Sequence, residues 1–243
     1  MADSLVIIPT YNEIENIREI TAAVLEKQPA FHILVVDDNS PDGTGRVADE
    51  LAEKNERIHV IHRTEKDGLG RAYIAGFKWA LERDYEFVFE MDADFSHSPD
   101  DLGRLREAAE DADLALGSRY INGIRIINWP LNRLILSKGA SLYVRLITGM
   151  PITDPTGGFK CFRRNTLEAL NLNQVQATGY SFQIEVNHKA WVNGFKITDV
   201  PIIFTDRHNG TSKMNKAIVF EAIWMVWKIF FACGCRRRPK QTV

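Results

Sequence analysis

The chain has 243 residues, of which 45% are hydrophobic and 26% charged, as in ordinary soluble proteins with one large or two small domains. Its formal net charge of −2 argues against a general nucleic-acid-binding protein, whose domain would normally be strongly basic. Three unevenly spaced cysteines do not make a disulfide framework, so we expect a reducing compartment. The first residues lack the pattern of a secretory signal peptide.

Strand and helix patterns alternate through the first half of the chain. Short β-branched or apolar runs predict strands at residues 4–8, 31–36, 57–62, 85–91 and 112–117. Thr10 and Glu13 have the spacing of a capping box, which predicts a helix directly after the first strand. Ser98, followed by a proline and two acids, predicts the cap of the helix after the fourth strand. The alternation indicates an α/β fold with a mostly parallel sheet and helices on both faces.

The second half of the chain is less regular. The sequence predicts helices at residues 131–148 and 182–192 and an extended segment at 196–204. Loops are expected at 122–130 and 205–213, and a turn at 154–158 leads into residues 159–163. Because composition does not change between the halves, we expect one domain over residues 1–215.

Residues 216–243 are expected to form a separate C-terminal element. A nearly all-apolar helix is followed by a basic cluster that starts at Arg236. The charged residues Glu221 and Lys228 share one helical stripe with Trp224 and Phe231. One interpretation is a helix at a membrane surface, with the basic cluster attracted to anionic lipid. The other is a helix packed on the domain with a solvated tail. We favour the membrane surface over both the packed helix and a full membrane span.

Three predicted strand ends carry unusual polar residues, in the runs PTYNE, DDNSPDG and DADFSH. Ligands of open α/β sheets bind outside the carboxyl ends of the strands. Asp92 and Asp94 suit Mg²⁺ or Mn²⁺, which prefer oxygen ligands and are often held by one or two carboxylates plus substrate phosphates. A solvated loop with two acids is the alternative, and the meeting of three such ends at one edge favours the metal–diphosphate site.

The other acids and aromatics at this edge allow two interpretations. A carboxylate at Asp37 or Asp38 can accept hydrogen bonds from a nucleobase, or can cap its own turn. Glu13 can cap a helix or contact the nucleotide, and Tyr11 can stack on a base or pack. Taken together on one edge, they favour a nucleotide site.

Basic residues in later loops indicate a second anion; these are Arg119, Arg133, Arg207 and Lys213. No Ser-His-Asp set or nucleophile elbow is evident. A phosphate monoester is mostly dianionic at pH 7, so as an acceptor it needs positive charge and alignment more than a base. His97 is the counter-candidate for a base, although a structural hydrogen bond is the commoner role for such a histidine.

The motifs VIIPTYNE, VVDDNSPDGT, GLGRAYIAGF, MDADFSH, GSRY, WPLNR with SKGA, DPTGGFKCF and DRHNGTSKM occur in this order between residue 5 and about residue 215. Together they resemble the dolichol-phosphate (polyprenol-phosphate) mannosyltransferases, inverting family 2 glycosyltransferases of the GT-A fold. The resemblance implies transfer of mannose from GDP-mannose to a polyprenyl phosphate, with Mg²⁺ or Mn²⁺, on the cytoplasmic face of a membrane.

The resemblance also implies roles for individual residues. The nucleotide sugar would be bound by Pro9, Tyr11, Glu13, Val36, Asp38, Asp92, Ala93, Asp94, Arg119, Arg207 and Lys213. The metal ligands would be Asp92 and Asp94. The acceptor phosphate would be bound by Arg119, Arg133, Ser137 and Arg207. The catalytic residues would be Asp94, Arg119 and Lys213.

Two departures from the family pattern stand out. Some relatives have a glutamine metal ligand where this chain has Ser96, and some carry C-terminal transmembrane helices. The prenyl chain would therefore meet the terminal helix or a separate membrane protein. Two rivals remain: a UDP-sugar transferase acting on the same acceptor, and a nucleotide-binding regulator without turnover. A dehydrogenase is disfavoured because Gly68 and Gly70 do not follow the first strand.

Overall fold

The computed structural model describes residues 3–177, 179, 181–206 and 216–233, with side chains of the last helix given for residues 224–232. The elements in chain order are β1 (Ser4–Thr10), α1 (Ile17–Lys27), β2 (His32–Asp37), α2 (Thr44–Lys54), β3 (Ile58–His62), α3 (Leu69–Leu81), β4 (Phe87–Glu90), α4 (Asp101–Asp111), β5 (Leu114–Ser118), β6 (Ile126–Ile127), α5 (Leu131–Thr148), β7 (Lys160–Arg163), α6 (Arg164–Ala169), α7 (Ser181–Val192), β8 (Ile197–Pro201), β9 (Phe204–Thr205) and α8 (Lys216–Cys233).

Within the described residues, seven strands form one sheet in the order β3-β2-β1-β4-β7-β5-β8. All neighbours run parallel except β7, which is antiparallel to both β4 and β5. The prediction of a mostly parallel α/β sheet is confirmed. The ends of β1 and β2 lie side by side, with Thr10 beside Asp37, so two of the three polar strand ends meet at one edge. The end of β4 lies on the other side of β1.

Strand β1 shows why the core has two layers. Val6 and Ile8 are buried in one apolar cluster with α1, α2 and α4, while Leu5 and Ile7 are buried in a second cluster with α3 and α7. A strand covered by helices on both faces is apolar at every position, because successive side chains point to opposite faces. The uninterrupted LVII run is the sequence signal for this central strand.

The two helix starts predicted from capping patterns are wrong in position. Helix α1 begins at Ile17, because β1 continues through Thr10, whose hydroxyl donates to Asp37 Oδ1 at 2.9 Å. The Glu13 carboxylate instead accepts a hydrogen bond from Asn16 Nδ2 at 2.8 Å. Helix α4 begins at Asp101, and Ser98 forms the turn before it.

The first strand and the loop at residues 122–130 also differ from prediction. Pro9 does not end β1, since the strand continues and the carbonyl oxygen of Thr10 accepts a hydrogen bond from the Asp38 N–H at 3.0 Å. The loop contains β6, which pairs in parallel with β9. A strand of two residues is too short to show a hydrophobic period, so it is recognised only from its pairing with β9 in the structure.

Glycines in two helices should respond oppositely to added methyl groups. A Cβ at Gly76 of α3 would lie 2.7 Å from Ile7 Cγ2, whereas one at Gly139 of α5 would have nothing within 4 Å. We expect Gly76→Ala to lower the free energy of unfolding by about 1–3 kcal/mol through overpacking. Gly139→Ala should raise it by about 0.5–1 kcal/mol, because alanine favours the helix. Urea unfolding of both variants tests the pair, and equal effects would contradict the packing of α3 on β1.

Helix α8 has one packed side and one exposed side. Val226 and Ile229 are buried in a third apolar cluster with residues of α5 and α7. On the other side Trp224 is 72% exposed and Phe231 is 68% exposed, with Lys228 between them. Helix α8 therefore packs on the domain with one side and presents an apolar stripe on the other. Within the described part of the chain, none of the helices meets the length and hydropathy of a membrane span.

His188 of α7 makes the stability of this helical contact depend on pH. The ring is fully buried between Trp191 and Phe230, and neither nitrogen has a hydrogen-bond partner within the described residues. Burial lowers the pKa of His188 to about 4. Since the unfolded chain takes up this proton near pH 6.5, stability is complete above that pH and is lost as the pH falls toward 4.

We expect wild-type protein to lose about 2 kcal/mol more stability than His188→Leu between pH 7.5 and pH 5, after integrating the proton uptake. Urea unfolding at the two pH values measures this difference directly. An identical pH dependence in the two proteins would show that His188 is solvated or paired.

Candidate active site

The edge formed by β1 and β2 is held together by Asp37. Its carboxylate accepts hydrogen bonds from the hydroxyls of Thr10 and Ser40 and from the Ser40 N–H, at 2.9, 2.6 and 3.0 Å. Asp37 thus has the turn-capping role, and it ties the two strand ends to each other. Asp38, the other acid of the pair, is also buried and pairs with Arg63.

The residues expected at the nucleotide lie around this edge. Asp38 Oδ1 pairs with Arg63 Nη1 at 2.7 Å, and burial raises the pKa of Asp38 although Arg63 opposes the shift. The Lys66 ammonium lies 3.6 Å from the centre of the Tyr11 ring. The charge of Lys66 also reaches Asp38, so it connects the aromatic ring with the acid. Glu13 lies at the same edge, where its N–H donates to the Thr44 hydroxyl.

Pro9 and Val36 lie side by side in the sheet register. The Val36 side chain is completely buried in the core, so any contact with a nucleotide would come from its main chain. The nucleotide roles of Pro9 and Val36 stay predictions, like those of the polar residues around them.

The acid pair lies in a tight loop directly after β4. The Asp92 side chain is 35% exposed and its Oδ1 accepts a hydrogen bond from the Tyr73 hydroxyl at 3.3 Å. Asp94 is 7% exposed and its Oδ1 accepts from the Ser96 N–H at 3.1 Å. Ala93 between them is buried, and Phe95 has a φ of +61°, a strained value for a large side chain. The loop thus presents two carboxylates in a fixed, unusual backbone conformation.

These donors fit a divalent ion that also binds a diphosphate. Within the described residues no group of three His, Cys, Asp or Glu side chains has metal-site geometry. Two carboxylates are, however, what Mg²⁺ commonly takes when substrate phosphates complete its shell. Burial and the nearby Asp92 charge raise the pKa of Tyr73 well above its ordinary value, so its phenol remains a donor to Asp92. Asp92 and Asp94 could therefore hold the ion.

His97 supports the acid pair from inside. The ring is buried, stacks on Phe159 at a centroid distance of 4.8 Å, and accepts the Asp92 N–H through Nδ1 at 3.2 Å. Burial lowers the pKa of His97, with the acids Asp92 and Asp94 opposing the shift. A buried, neutral imidazole that already accepts a backbone hydrogen bond favours the structural role over that of a general base.

Arg119 follows β5 and forms a buried ion pair that the sequence did not reveal. Its Nε and Nη2 donate to the two oxygens of Asp154 at 2.6 and 2.7 Å, and Nη2 also donates to the Thr156 hydroxyl at 2.9 Å. Burial disfavours both charges, yet each partner stabilises the other, so the pKa of Asp154 is lowered and that of Arg119 is raised. Asp154 belongs to the run DPTGG, whose sequence pattern predicts only a turn.

A chain of contacts joins this ion pair to the acid pair. His97 Nδ1 lies 4.0 Å from Asp92 Oδ2, and its ring lies 5.6 Å from that of Phe204. The Arg119 guanidinium lies 5.5 Å from the same Phe204 ring. The predicted metal ligands and the first predicted phosphate ligand thus share one neighbourhood.

Two more of the predicted acceptor residues, Arg133 and Ser137, lie on α5. Arg133 Nη1 donates to Asp206 Oδ1 at 2.8 Å, and the Arg133 guanidinium lies 4.0 Å from the Trp129 ring centre. Ser137 accepts a hydrogen bond at 2.7 Å from the hydroxyl of Tyr120, the residue that follows Arg119. Arg207 and Lys213 lie outside the described residues. Asp206, just before them, is brought to α5 by the pairing of β9 with β6.

A buried polar cluster beneath the acid pair was also missed. Glu90 at the end of β4 lies opposite Lys160 of β7, with Nζ 3.5 Å from Oε2, and both side chains are fully buried. Lys160 also donates to Gln183 of α7. Burial raises the pKa of Glu90 to about 7, with Lys160 opposing the shift. The only local signal for this cluster was Glu90, an acid at the end of the apolar run FVFE. Its partner Lys160 is 70 residues away, so no local pattern indicated the pairing.

The comparisons with known proteins identify the family. The model of the family described as "Glycosyl transferase family 2" matches residues 5–170 of this chain. The chain belongs to this family. It is a glycosyltransferase, and its resemblance to polyprenol-phosphate mannosyltransferases is confirmed by close relatives.

Two bacterial relatives match over most of their length. The chain is 52% identical over 225 residues to "Polyprenol monophosphomannose synthase" of Mycolicibacterium smegmatis, covering 92% of this chain and 85% of the relative. It is 48% identical over 219 residues to "Undecaprenyl-phosphate mannosyltransferase" of Micrococcus luteus, covering 90% of each.

Solved structures confirm the GT-A fold of this family 2 glycosyltransferase. The mannosyltransferase PcManGT from Pyrobaculum calidifontis, solved with GDP-Man and Mn²⁺, has a TM-score of 0.62 at 19% identity over 95% of this chain, which spans 63% of that structure's chain. Glucosyl-3-phosphoglycerate synthase from Mycobacterium tuberculosis, solved with Mn²⁺, UDP and phosphoglyceric acid, has a TM-score of 0.67 at 17% identity, covering 96% of this chain and 79% of the other.

Proposed function

We propose that this family 2 glycosyltransferase transfers mannose from GDP-mannose to the phosphate of a polyprenyl phosphate, with inversion and with Mg²⁺ or Mn²⁺ as cofactor. The products are a β-mannosyl phospholipid and GDP. The observation that carries the proposal is the shared neighbourhood of the Asp92–Asp94 pair and Arg119, together with polyprenyl-phosphate mannosyltransferases as close relatives.

The chain's own residues prepare the donor side. Asp92 and Asp94 would hold the metal, and Asp92 is fixed by hydrogen bonds from its N–H to His97 and from the Tyr73 hydroxyl to its carboxylate. A bound divalent ion supplies a Lewis acid that neutralises the leaving diphosphate. Tyr11 and Asp38 bind the nucleoside at the β1–β2 edge.

The acceptor side works by charge and alignment. The phosphate of the lipid is the nucleophile, and at pH 7 it needs no general base. Arg119 and Arg133 orient it, and Lys213 stabilises the charge that develops on the donor phosphates. The buried pair with Asp154 keeps Arg119 fixed, which lowers the cost of reorganisation during transfer.

The enzyme acts as a peripheral protein on the cytoplasmic face of a membrane, with residues 1–215 as the catalytic domain and 216–243 as the membrane element. Exposed large apolar side chains on α5 and α8 support contact with a membrane surface. They are Leu131, Ile135, Leu142 and Leu146 on α5 and Trp224, Trp227 and Phe231 on α8. The basic cluster after residue 235 lies outside the described residues. A separate membrane partner protein is compatible with the same surface.

Replacing the three exposed aromatics of α8 tests the membrane surface. We expect Trp224→Ser, Trp227→Ser and Phe231→Ser together to reduce co-flotation with anionic phospholipid vesicles at least about tenfold, given the apolar area removed. The control carries Ile14→Ser, in the turn before α1, and Leu69→Ser, at the start of α3. Both side chains are 39% exposed, and this variant should float like wild type. Equal flotation of both variants would contradict the assignment.

The reaction itself is tested by offering GDP-mannose or UDP-glucose with a short polyprenyl phosphate and identifying the lipid product by mass spectrometry. We expect a mannosyl product, only when Mg²⁺ or Mn²⁺ is present. A hexosyl product formed from UDP-glucose but not from GDP-mannose would identify the protein as a UDP-sugar transferase instead. No product from either donor would contradict it.

A further inference from the structure

Two nitrogen donors near Arg119 have no acceptor within the part of the chain that the structure describes. Trp129 Nε1 and Arg133 Nε are both shielded from solvent, and neither has a hydrogen-bond partner within residues 3–177, 179, 181–206 and 216–233. Arg133 makes its ion pair with Asp206 through Nη1, so Nε is a separate donor. Buried donors that stay unpaired cost free energy, and in native proteins such groups call for an explanation.

The two donors belong to one cluster of aromatic rings and guanidinium groups. The Arg133 guanidinium stacks on the Trp129 ring at 4.0 Å, and Phe204 meets the ring edge-on at a centroid distance of 5.4 Å. The Arg119 guanidinium lies 5.6 Å from the same ring. An indole N–H and a guanidinium N–H can only donate, so neither satisfies the other. The two arginines already pair with Asp154 and Asp206, but the two nitrogen donors still need acceptor atoms, which the oxygens of a phosphate supply.

We infer that Trp129 is a substrate-binding residue whose indole N–H donates to a phosphate oxygen of the lipid acceptor, beside the donor from Arg133. The inference rests on the proposed function and adds a residue to it. The choice of the acceptor over the donor diphosphate follows from the next residues. Leu131 and Ile135 are 69% and 64% exposed and begin an apolar stripe one residue beyond Pro130. A phosphate at Trp129 has a path for its prenyl chain along α5.

The nitrogens are covered, so the phosphate reaches them only when neighbouring side chains shift. This makes the Trp129 indole proton a sensitive reporter. The chain contains five tryptophans, and Trp129→Phe identifies the signal of interest by its disappearance from the ¹H–¹⁵N spectrum. On titration with a short polyprenyl phosphate we expect this signal to move downfield, while that of Trp79, on α3, stays in place.

Separate titrations distinguish the sources of phosphate. GDP-mannose with Mg²⁺, and inorganic phosphate at the same concentration, should leave the Trp129 signal nearly unchanged. An equal shift with either would overturn the assignment to the acceptor. So would a stationary Trp129 signal when the lipid phosphate is added.

Kinetics of Trp129→Phe give a second readout, because phenylalanine keeps an aromatic ring but has no donor. We expect KM for the polyprenyl phosphate to rise about tenfold, the worth of one hydrogen bond to a charged group. KM for GDP-mannose should not change, and Trp79→Phe should match wild type. An unchanged acceptor KM in Trp129→Phe overturns the inference while transfer itself continues. Failure of the proposed function looks different, since wild type then forms no mannosyl lipid.

Discussion

Asp154→Ala is expected to lower the free energy of unfolding by about 3–5 kcal/mol, the usual cost of leaving one partner of a buried ion pair alone. Arg119 is 8% exposed and Asp154 is fully buried, so the guanidinium left without its partner would be largely shielded from solvent. The variant also leaves the Arg119 N–H without its acceptor at Asp154 Oδ2. Urea unfolding of wild type and variant measures the loss.

A surface pair provides the control. Glu50→Ala breaks the pair with Arg18, whose side chain is 50% exposed, and should cost less than about 1 kcal/mol. The double variant Arg119→Met with Asp154→Leu should regain most of the stability, because no buried charge remains. It should not regain transfer, since Arg119 orients phosphate. If Asp154→Ala were no worse than Glu50→Ala, the buried pair would be refuted.

Asp94→Asn should reduce mannosyl transfer by about 10²–10³-fold, a loss comparable to removing one group that stabilises transition-state charge. The fold should survive, because the amide oxygen can still accept the Ser96 N–H that now binds Asp94 Oδ1. The rate of mannosyl lipid formation at saturating substrates is the measurement.

Asp100→Asn is the matched control for this loss. Asp100 follows the same loop, and its side chain is 66% exposed and pairs with Lys27. The rate of transfer should therefore not change in this variant. Unaltered transfer by Asp94→Asn would remove this acid from the catalytic residues. If wild type bound nucleotide but formed no product, the chain would instead be a nucleotide-binding regulator without turnover.

Local sequence patterns predicted much of the fold. Helix α5 has the predicted bounds, 131–148, because Pro130 marks its start and Gly149 its end. The alternation of strands and helices predicted the parallel part of the sheet. The edge at Thr10 and Asp37 followed from parallel strand ends meeting on one side.

Long-range pairing explains what was missed. Strand β7 inserts between β4 and β5, which no local period encodes, and only this pairing brings Lys160 to Glu90. The partner of Arg119 is 35 residues away in a run that reads as a turn. Thr10 satisfied a capping pattern, yet its hydroxyl bonds across to β2, because tertiary contact outweighs a local motif.

The central claim is that Asp92 and Asp94 couple a divalent ion to the nucleotide diphosphate. Calorimetry of GDP binding with and without Mg²⁺, in wild type and in the Asp92→Asn/Asp94→Asn double variant, tests it most directly. We predict that Mg²⁺ tightens GDP binding at least about tenfold, or 1.4 kcal/mol, in wild type and has no effect in the double variant. Equal Mg²⁺ dependence in both proteins would contradict the account.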